Sequence, residues 1–345
     1  MSVLHLLGSS ADGGAETYFS DLVAALGQSG LYQHAAIRAH AGRQAALAAT
    51  GIGFSVFGFG GPLDVFTRPR LAILAGKIEA KVLVAWMNRA ARHTPAGPWA
   101  RIGRLGGYYD LKNYRGFDML VANTPDIARW IIDQGWPSDR AVYIPNFAEA
   151  GPGQALDRSA LDTPEDAPLL LSMGRLHTVK AHDVSLRALQ GLPGAYLWIA
   201  GTGPLEAQLK ALAAELGVLD RVRFLGWRDD ASALYRTADV CLFPSRFEPL
   251  GNVVIQCWAH GLPIVAAASQ GPSQLIAPGT DGLLVPIDDP DALAASVGQI
   301  LGDRALKAHL IENGRAQVQA EFSKASVVAR WRNLFAEMGE PSCAA

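Results

Sequence analysis

The stretch Arg246–Val265 reads "RFEPLGNVVIQCWAHGLPIV" and follows an apolar run, "DVCLFPS" (239–245). An apolar run, then Pro and Gly, then a helix-like segment, is a strand–loop–helix unit. Glu248 falls in the loop, at the mouth of the strand. In doubly wound sheets ligands bind at that edge. A carboxylate there accepts two sugar hydroxyls well. The amides of Leu250, Gly251, Asn252 and Val253 begin the helix, and its positive end suits a phosphate. Gln256 stands about 80° round from Glu248 on a helical count of ~100° per residue. It is placed to reach a second polar part of the same ligand, and it is an amide rather than a second acid.

Working outward, the same pattern recurs through the second half of the chain. Strands are expected at "LLLSMGRL" (169–176), "AYLWIAGTG" (195–203), "RVRFLGW" (221–227), "PIVAAAS" (263–269) and "GLLVPI" (282–287). Helices are expected at "AHDVSLRALQGL" (181–192) and "PLEAQLKALAAELG" (204–217), with more to the end of the chain. The first half alternates likewise. Strands are expected at "VLHLLG", "HAAIRAH", "FSVFGF", "KVLVAWM", "ARIGRL", "DMLVANT" and "AVYIPNF", with a helix at "AETYFSDLVAALGQSG". Strands alternating with helices imply parallel βαβ units. The stretch 148–167, rich in Pro, Gly and acids, reads as a linker. The expected organisation is an N-terminal Rossmann-like domain over 1–147 and a second over 148–325. A helix over 326–345 returns to the first. The class is α/β: two doubly wound domains facing a cleft. The length of 345 residues fits two domains of roughly 150 each.

Composition narrows the function classes. The cysteines Cys241, Cys257 and Cys343 have no metal spacing, and their sparse, odd count argues for a reducing compartment. The start "MSVLHLLGSSADGGAE" lacks a basic leader, and no apolar run nears the ~20 residues that span a bilayer. The expected location is cytoplasmic. Net charge is −2, but the stretch 65–117 holds ten Lys and Arg against Glu79 and Asp110, a local +8. That stretch is either a set of solvated helix faces or a surface for anionic lipid or a phosphorylated acceptor. Trp86 and Trp99 within it suit an interface or a core. With a sequence pI near 6.4 and no recognised module, nucleic-acid binding is not expected.

Several loops carry candidate chemistry. Gly13 and Gly14 open the first helix, where backbone amides form a phosphate site. Their spacing is not the dinucleotide fingerprint, which argues against a dehydrogenase. Many strand–helix turns carry glycine for geometry alone. Arg175 and Lys180, in "SMGRLHTVKAHD", are two cations able to neutralise a departing diphosphate, though loop cations are commonly surface charge. Gly201 and Gly203 lie where a ligand could approach the backbone, and Trp227 and Arg228 where a nucleobase could rest. Each of these loops is equally a plain turn. The adjacent aspartates of "RDDAS" read as a helix cap rather than a metal motif.

Together these residues resemble the retaining glycosyltransferases of family 4, which have the GT-B fold. The resemblance runs through the GG loop, "GR…K", "GTGP", "GW" and, most specifically, "FPSRFEPLGNVVIQCWAHGLPIV". It implies that Glu248 holds the hydroxyls of the donor sugar. The second glutamate of the family's motif binds the nucleotide ribose and maps to Gln256. An uncharged partner weakens that bond, since charge-assisted bonds are roughly twice as strong. The family's histidine, in an "HG" pair, is replaced here by Gly106–Gly107, and His93 lies near that place in sequence. Ala181 stands where the family often has Gly. The stretches "NRAARHTPAGPWARIGRLGGYYDLKNYRGFDMLVANT" and "GWPSDRAVYIPNF" resemble the subset acting on lipopolysaccharide core or related envelope glycans. The implied activity is front-face transfer from a nucleotide-sugar, a UDP-sugar foremost, to a hydroxyl of a glycan or glycolipid. It uses no metal or other cofactor. The enzyme would be cytoplasmic or peripheral on the membrane's inner face. The alternatives are a nucleotide-sugar 2-epimerase on the same fold, and a non-catalytic binding or scaffold member.

Overall fold

The computed structural model describes residues 1–11, 13–61 and 63–339. Cys343 and the last part of the expected terminal helix lie outside these. The chain divides into two units, one of Phe147–Ser323 and one of Met1–Asn146 joined by the segment from Lys324.

The first unit holds β1 (Ser2–Leu7), α1 (Gly14–Gln28), β2 (Tyr32–Ile37), α2 (Ala41–Ala49) and β3 (Gly53–Val56). It continues with α3 (Thr67–Lys77), β4 (Val82–Trp86), α4 (Met87–His93) and β5 (Ala100–Leu105). Last come β6 (Met119–Ala122), α5 (Pro125–Asp133) and β7 (Ala141–Tyr143). The strands form one seven-stranded sheet in the order β3-β2-β1-β4-β5-β6-β7. All its pairings are parallel. Every residue of β1, β4 and β6 is buried, as expected of strands covered on both faces.

The second unit holds β8 (Leu169–Met173), α6 (His182–Gln190), β9 (Tyr196–Ala200), α7 (Glu206–Glu215) and β10 (Val222–Gly226). Then come α8 (Ala231–Thr237), β11 (Val240–Phe243), α9 (Asn252–His260), β12 (Ile264–Ala267), α10 (Gln270–Leu275) and β13 (Leu283–Val285). Helices α11 (Pro290–Gly302) and α12 (Arg304–Gln317) follow, and α12 runs into a π-helical turn, Val318–Phe322. The six-stranded sheet has the order β10-β9-β8-β11-β12-β13. From β8 the chain winds outward to β10, then returns to lay β11 on the other side of β8. The winding reverses between β8 and β11, and that reversal is where such sheets bind ligands.

The final helix, α13 (Lys324–Gly339), belongs to the first unit. It buries Trp331 and Phe335, and the Phe335 ring stands edge-on to His5 of β1 at 6.2 Å. The stretch expected as a linker is bonded into the second unit instead. The Ala148 amide donates to the Phe322 carbonyl, Leu156 to the Thr237 hydroxyl, and Trp198 to the Thr163 hydroxyl. Arg158 pairs with Asp239. Its Pro and Gly content marks irregular backbone, and irregular backbone can still be pinned by side chains. Trp86 is fully buried in the core, so it is not an interface residue.

Candidate functional site

Glu248 lies in the loop after β11, and Lys180 in the loop after β8, so the two face the point where the winding reverses. The Lys180 ammonium donates to Glu248 Oε2. Lys180 also stands over the Phe243 ring, 5.7 Å from its centre. The other carboxylate oxygen, Oε1, accepts the Gly251 amide at the start of α9. The Glu248 carbonyl in turn accepts the Gly271 amide at 2.7 Å. Glu248 is therefore held by the start of its own helix, by the β8 loop and by the first turn of α10. Its side chain keeps 14 % of its surface and that of Lys180 keeps 25 %, so both remain reachable.

Glycine is required at two of these contacts. Gly251 has φ +89°, the left-handed conformation that lets the chain turn into α9. A Cβ on Gly271 would stand 2.3 Å from the Leu250 carbonyl, so only glycine lets the first turn of α10 press against the Glu248 loop. Gly201 and Gly203 have an equally local cause. Their added Cβ atoms would meet the Gly174 carbonyl at 2.0 Å and the Leu176 carbonyl at 2.4 Å. What approaches these glycines is the chain's own backbone, the loop that carries Arg175 and Lys180.

Arg246 opens the quoted stretch, and nothing in the sequence singled it out as a residue that holds the site together. Its guanidinium makes two bonds to Asp183, at 3.0 and 2.7 Å, one to Asp288 at 2.6 Å and one to the Thr178 carbonyl at 2.8 Å. The Asp183 bonds, first, raise its pKa. Arg246 thus ties the Glu248 loop to the Lys180 loop. No spacing announces a partner that lies 63 positions away. Beneath the same loop, His182 bonds the Ser172 hydroxyl at 3.0 Å and the Gly174 carbonyl at 3.2 Å. Burial lowers its pKa to about 4, so it stays neutral. Ala181 adopts φ +54° between Lys180 and His182, which is why glycine suits that position in the resembled family.

Gln256 sits in the second turn of α9, half-buried, on the face that also shows Asn252 and Val253. The angular count from Glu248 does not hold, because the helix begins at Asn252 and Glu248 precedes it in irregular backbone. Leu250 and Gly251 are buried at the helix entry. Arg175 is exposed, with no side-chain partner among the described residues. Trp227 is 63 % exposed. Arg228 is held by both oxygens of Asp230, at 2.7 and 2.5 Å. Asp230 does occupy the cap position of α8, but its carboxylate bonds Arg228 rather than a helix amide. Among the described residues no three or more His, Cys, Asp or Glu side chains gather as a metal site.

The remaining expectations fall in the first unit. Gly13 caps α1 in ordinary extended backbone, φ −172°. A Cβ there would meet the Glu16 carboxylate at 2.8 Å, so this helix start already faces an acid of its own. His93 is not in a loop. It ends α4, 8 % exposed, with Nε2 bonded to the Gly60 carbonyl at 3.2 Å and the ring edge-on to Phe59. These are packing contacts. At Gly106 a Cβ would stand 2.7 Å from Nη1 of Arg104. Arg104 is 2 % exposed, bonded to Asn146 and set against the rings of Tyr18 and Trp86. The place that the resemblance gives to a histidine is therefore crowded by a buried arginine.

Two parallel doubly wound units, with a Lys–Glu pair at the reversal point of the second, are the architecture of the GT-B fold. Residues 154–317 match the family described as glycosyl transferases group 1. The chain is 39 % identical over 329 residues to the lipopolysaccharide core biosynthesis glycosyltransferase LpsE of Rhizobium meliloti, covering 94 % of this chain and 96 % of that one. It is 35 % identical over 338 residues to LpsD of the same organism, covering 97 % and 98 %. Among solved structures, Anabaena HepE in complex with UDP superposes with a TM-score of 0.85 at 20 % identity, covering 98 % of this chain and all of that one. The chain belongs to the group 1 glycosyl transferases.

Proposed function

We propose that the chain moves a sugar from a UDP-sugar to a hydroxyl of a lipopolysaccharide-core acceptor, with retention at the anomeric carbon and without a metal. The observation that carries this reading is Glu248, anchored at the reversal point between Lys180 and the start of α9. LpsE and LpsD, named for lipopolysaccharide core biosynthesis, support the acceptor class. Structures of HepE with UDP and with UDP-glucose support the donor class.

Each residue has a task that follows from its chemistry. Glu248, fixed through one oxygen by Lys180, keeps lone pairs for donor-sugar hydroxyls. A lysine ammonium has three donors, so Lys180 can hold Glu248 and still meet a phosphate. As the bond from the anomeric carbon to the diphosphate oxygen breaks, negative charge grows on the phosphate. Lys180, Arg175 and the amides of Leu250, Asn252 and Val253 oppose that charge, and fixed positive groups of this kind do most to lower such a barrier. The acceptor oxygen bonds the anomeric carbon on the face the phosphate leaves, and its proton passes to the departing phosphate oxygen. Gln256 hydrogen-bonds the ribose without charge.

The test is an incubation of the enzyme with UDP-sugars and a core oligosaccharide, with and without EDTA, read by proton NMR. An α-linked product from an α-linked donor, formed equally with EDTA, supports the proposal. An inverted product, or turnover that appears only with added metal, overturns it.

A further inference from the structure

Half of the basic residues of the stretch 65–117 gather at one place. In the first unit a cavity of about 270 Å³ is lined by Arg68, Arg92, Arg101, Lys112, Asn113 and Arg115 among others, and by no carboxylate. Asp110 pairs with Lys112, and Asp118 accepts the Arg101 amide, so two acids stand behind five cations. Beside the cavity lies an apolar surface that no core explains. Leu63 is 93 % exposed, Val65 67 %, Phe66 72 % and Ile73 71 %. Lone exposed apolar residues are ordinary, but four within eleven positions form a patch.

The patch is built rather than slack. Asp64 accepts the amides of Gly60 at 2.7 Å, Phe66 at 3.2 Å and Thr67 at 3.0 Å, and the Thr67 hydroxyl at 2.6 Å. These bonds turn Leu63, Val65 and Phe66 outward on either side of a fixed acid. His93 pins Gly60, and the Arg68 guanidinium bonds the Arg92 carbonyl, so the loop and α3 are fastened to the cavity wall. Phe66 and Ile73 are seven residues apart and thus share one side of α3. Arg70 and Lys77 lie on that exposed side too. A fixed apolar ridge flanked by a cluster in which cations outnumber acids matches a bilayer interface carrying acidic headgroups.

We propose that this face docks on an anionic membrane surface. Leu63, Val65, Phe66 and Ile73 enter the headgroup layer, and the cavity receives a headgroup phosphate. No helix among the described residues is long and apolar enough to cross a membrane, so the attachment is interfacial.

The test is co-sedimentation of the purified chain with vesicles of phosphatidylcholine alone and of phosphatidylcholine with phosphatidylglycerol, without nucleotide-sugar. The result is therefore independent of the transferase reading. The native chain is expected on the anionic vesicles only, with binding lost at high salt. Val65→Ser with Phe66→Ser, and separately Arg92→Ala with Arg115→Ala, are each expected to weaken it by roughly tenfold or more. All four positions are exposed, and circular dichroism verifies the folds. Absence of vesicle binding by the native chain overturns the proposal, as does binding unchanged in the Val65/Phe66 variant. Retention of inorganic pyrophosphate by the native chain, lost in the Arg92/Arg115 variant without any vesicle binding, also overturns it in favour of a soluble anionic ligand.

Discussion

Glu248 stands out before any fold is known, because it falls between an apolar strand and a helix start, at the edge where doubly wound sheets bind ligands. Its partners are not legible. Replacing Glu248 with Ala removes the carboxylate to which the proposed reading gives the donor hydroxyls and leaves Lys180 half-buried without its partner. Transfer is expected to fall by about a hundredfold or more, while thermal unfolding moves by only a few degrees. Initial-rate assays beside calorimetry decide the matter, and an Ala variant with native turnover would remove Glu248 from the site. If Gln256 meets the ribose as proposed, Gln256→Glu makes that bond charge-assisted. UDP affinity, read by titration calorimetry, should rise several-fold; weaker binding would mean the amide is tuned to another contact. His93 shows the limit of reading residues singly. Its sequence neighbourhood points to a catalytic loop, whereas the fold encloses it between Phe59 and Gly60.

At the scale of elements, the site depends on three loops held together at the reversal point. Arg246 is the fastening between the β11 and β8 loops, through Asp183 and Thr178. Arg246→Ala should lower kcat/KM by tenfold or more, with a loss of about 1–3 kcal/mol in stability. Asp183→Asn should do part of the same. The two changes combined should cost less than their sum, because each removes the same contact. A double-mutant cycle on urea midpoints measures this, and strict additivity would show that the pair does not act as one unit. Gly203→Ala puts a Cβ against the Leu176 carbonyl at 2.4 Å and must displace the loop that carries Lys180. The strands and most helices were evident from apolar runs and turn residues. The stretch 148–167 was not, since its role rests on bonds from Leu156 and Arg158 to Thr237 and Asp239, far off in sequence.

For the whole molecule, each unit has a histidine that burial holds neutral, His5 in the first and His182 in the second. Burial lowers His5 of β1 from 6.5 to about 3 and His182 of α6 from 6.5 to about 4. Below pH 6.5 the unfolded chain takes up protons that the folded chain refuses, so stability falls with acid. The loss runs from about pH 6.5 down through pH 4 for His182, and on towards pH 3 for His5. Each contributes at most ~1.4 kcal/mol per pH unit. Melting temperatures between pH 7 and 4 should therefore decline. His182→Gln should flatten the slope whatever its effect at neutral pH, and an unchanged slope would mean other groups carry the acid sensitivity. Removal of the chain from Lys324 onward exposes the sites of Trp331 and Phe335. It should destabilise the first unit while the second keeps its own sheet, which fluorescence and domain-resolved hydrogen exchange can separate.

By itself the sequence determined the alternation of strands and helices, the parallel sheets and the position of Glu248 at a strand mouth. Those features rest on periodicity and on neighbours within a few residues. Only the tertiary structure decided that Arg246 clamps Asp183, that Arg104 crowds Gly106, and that His93 is packing. It also decided that a basic cavity adjoins an exposed apolar ridge. These contacts join residues tens of positions apart. Burial and pairing at such distances depend on how the sheets wind, and the winding is a property of the folded chain.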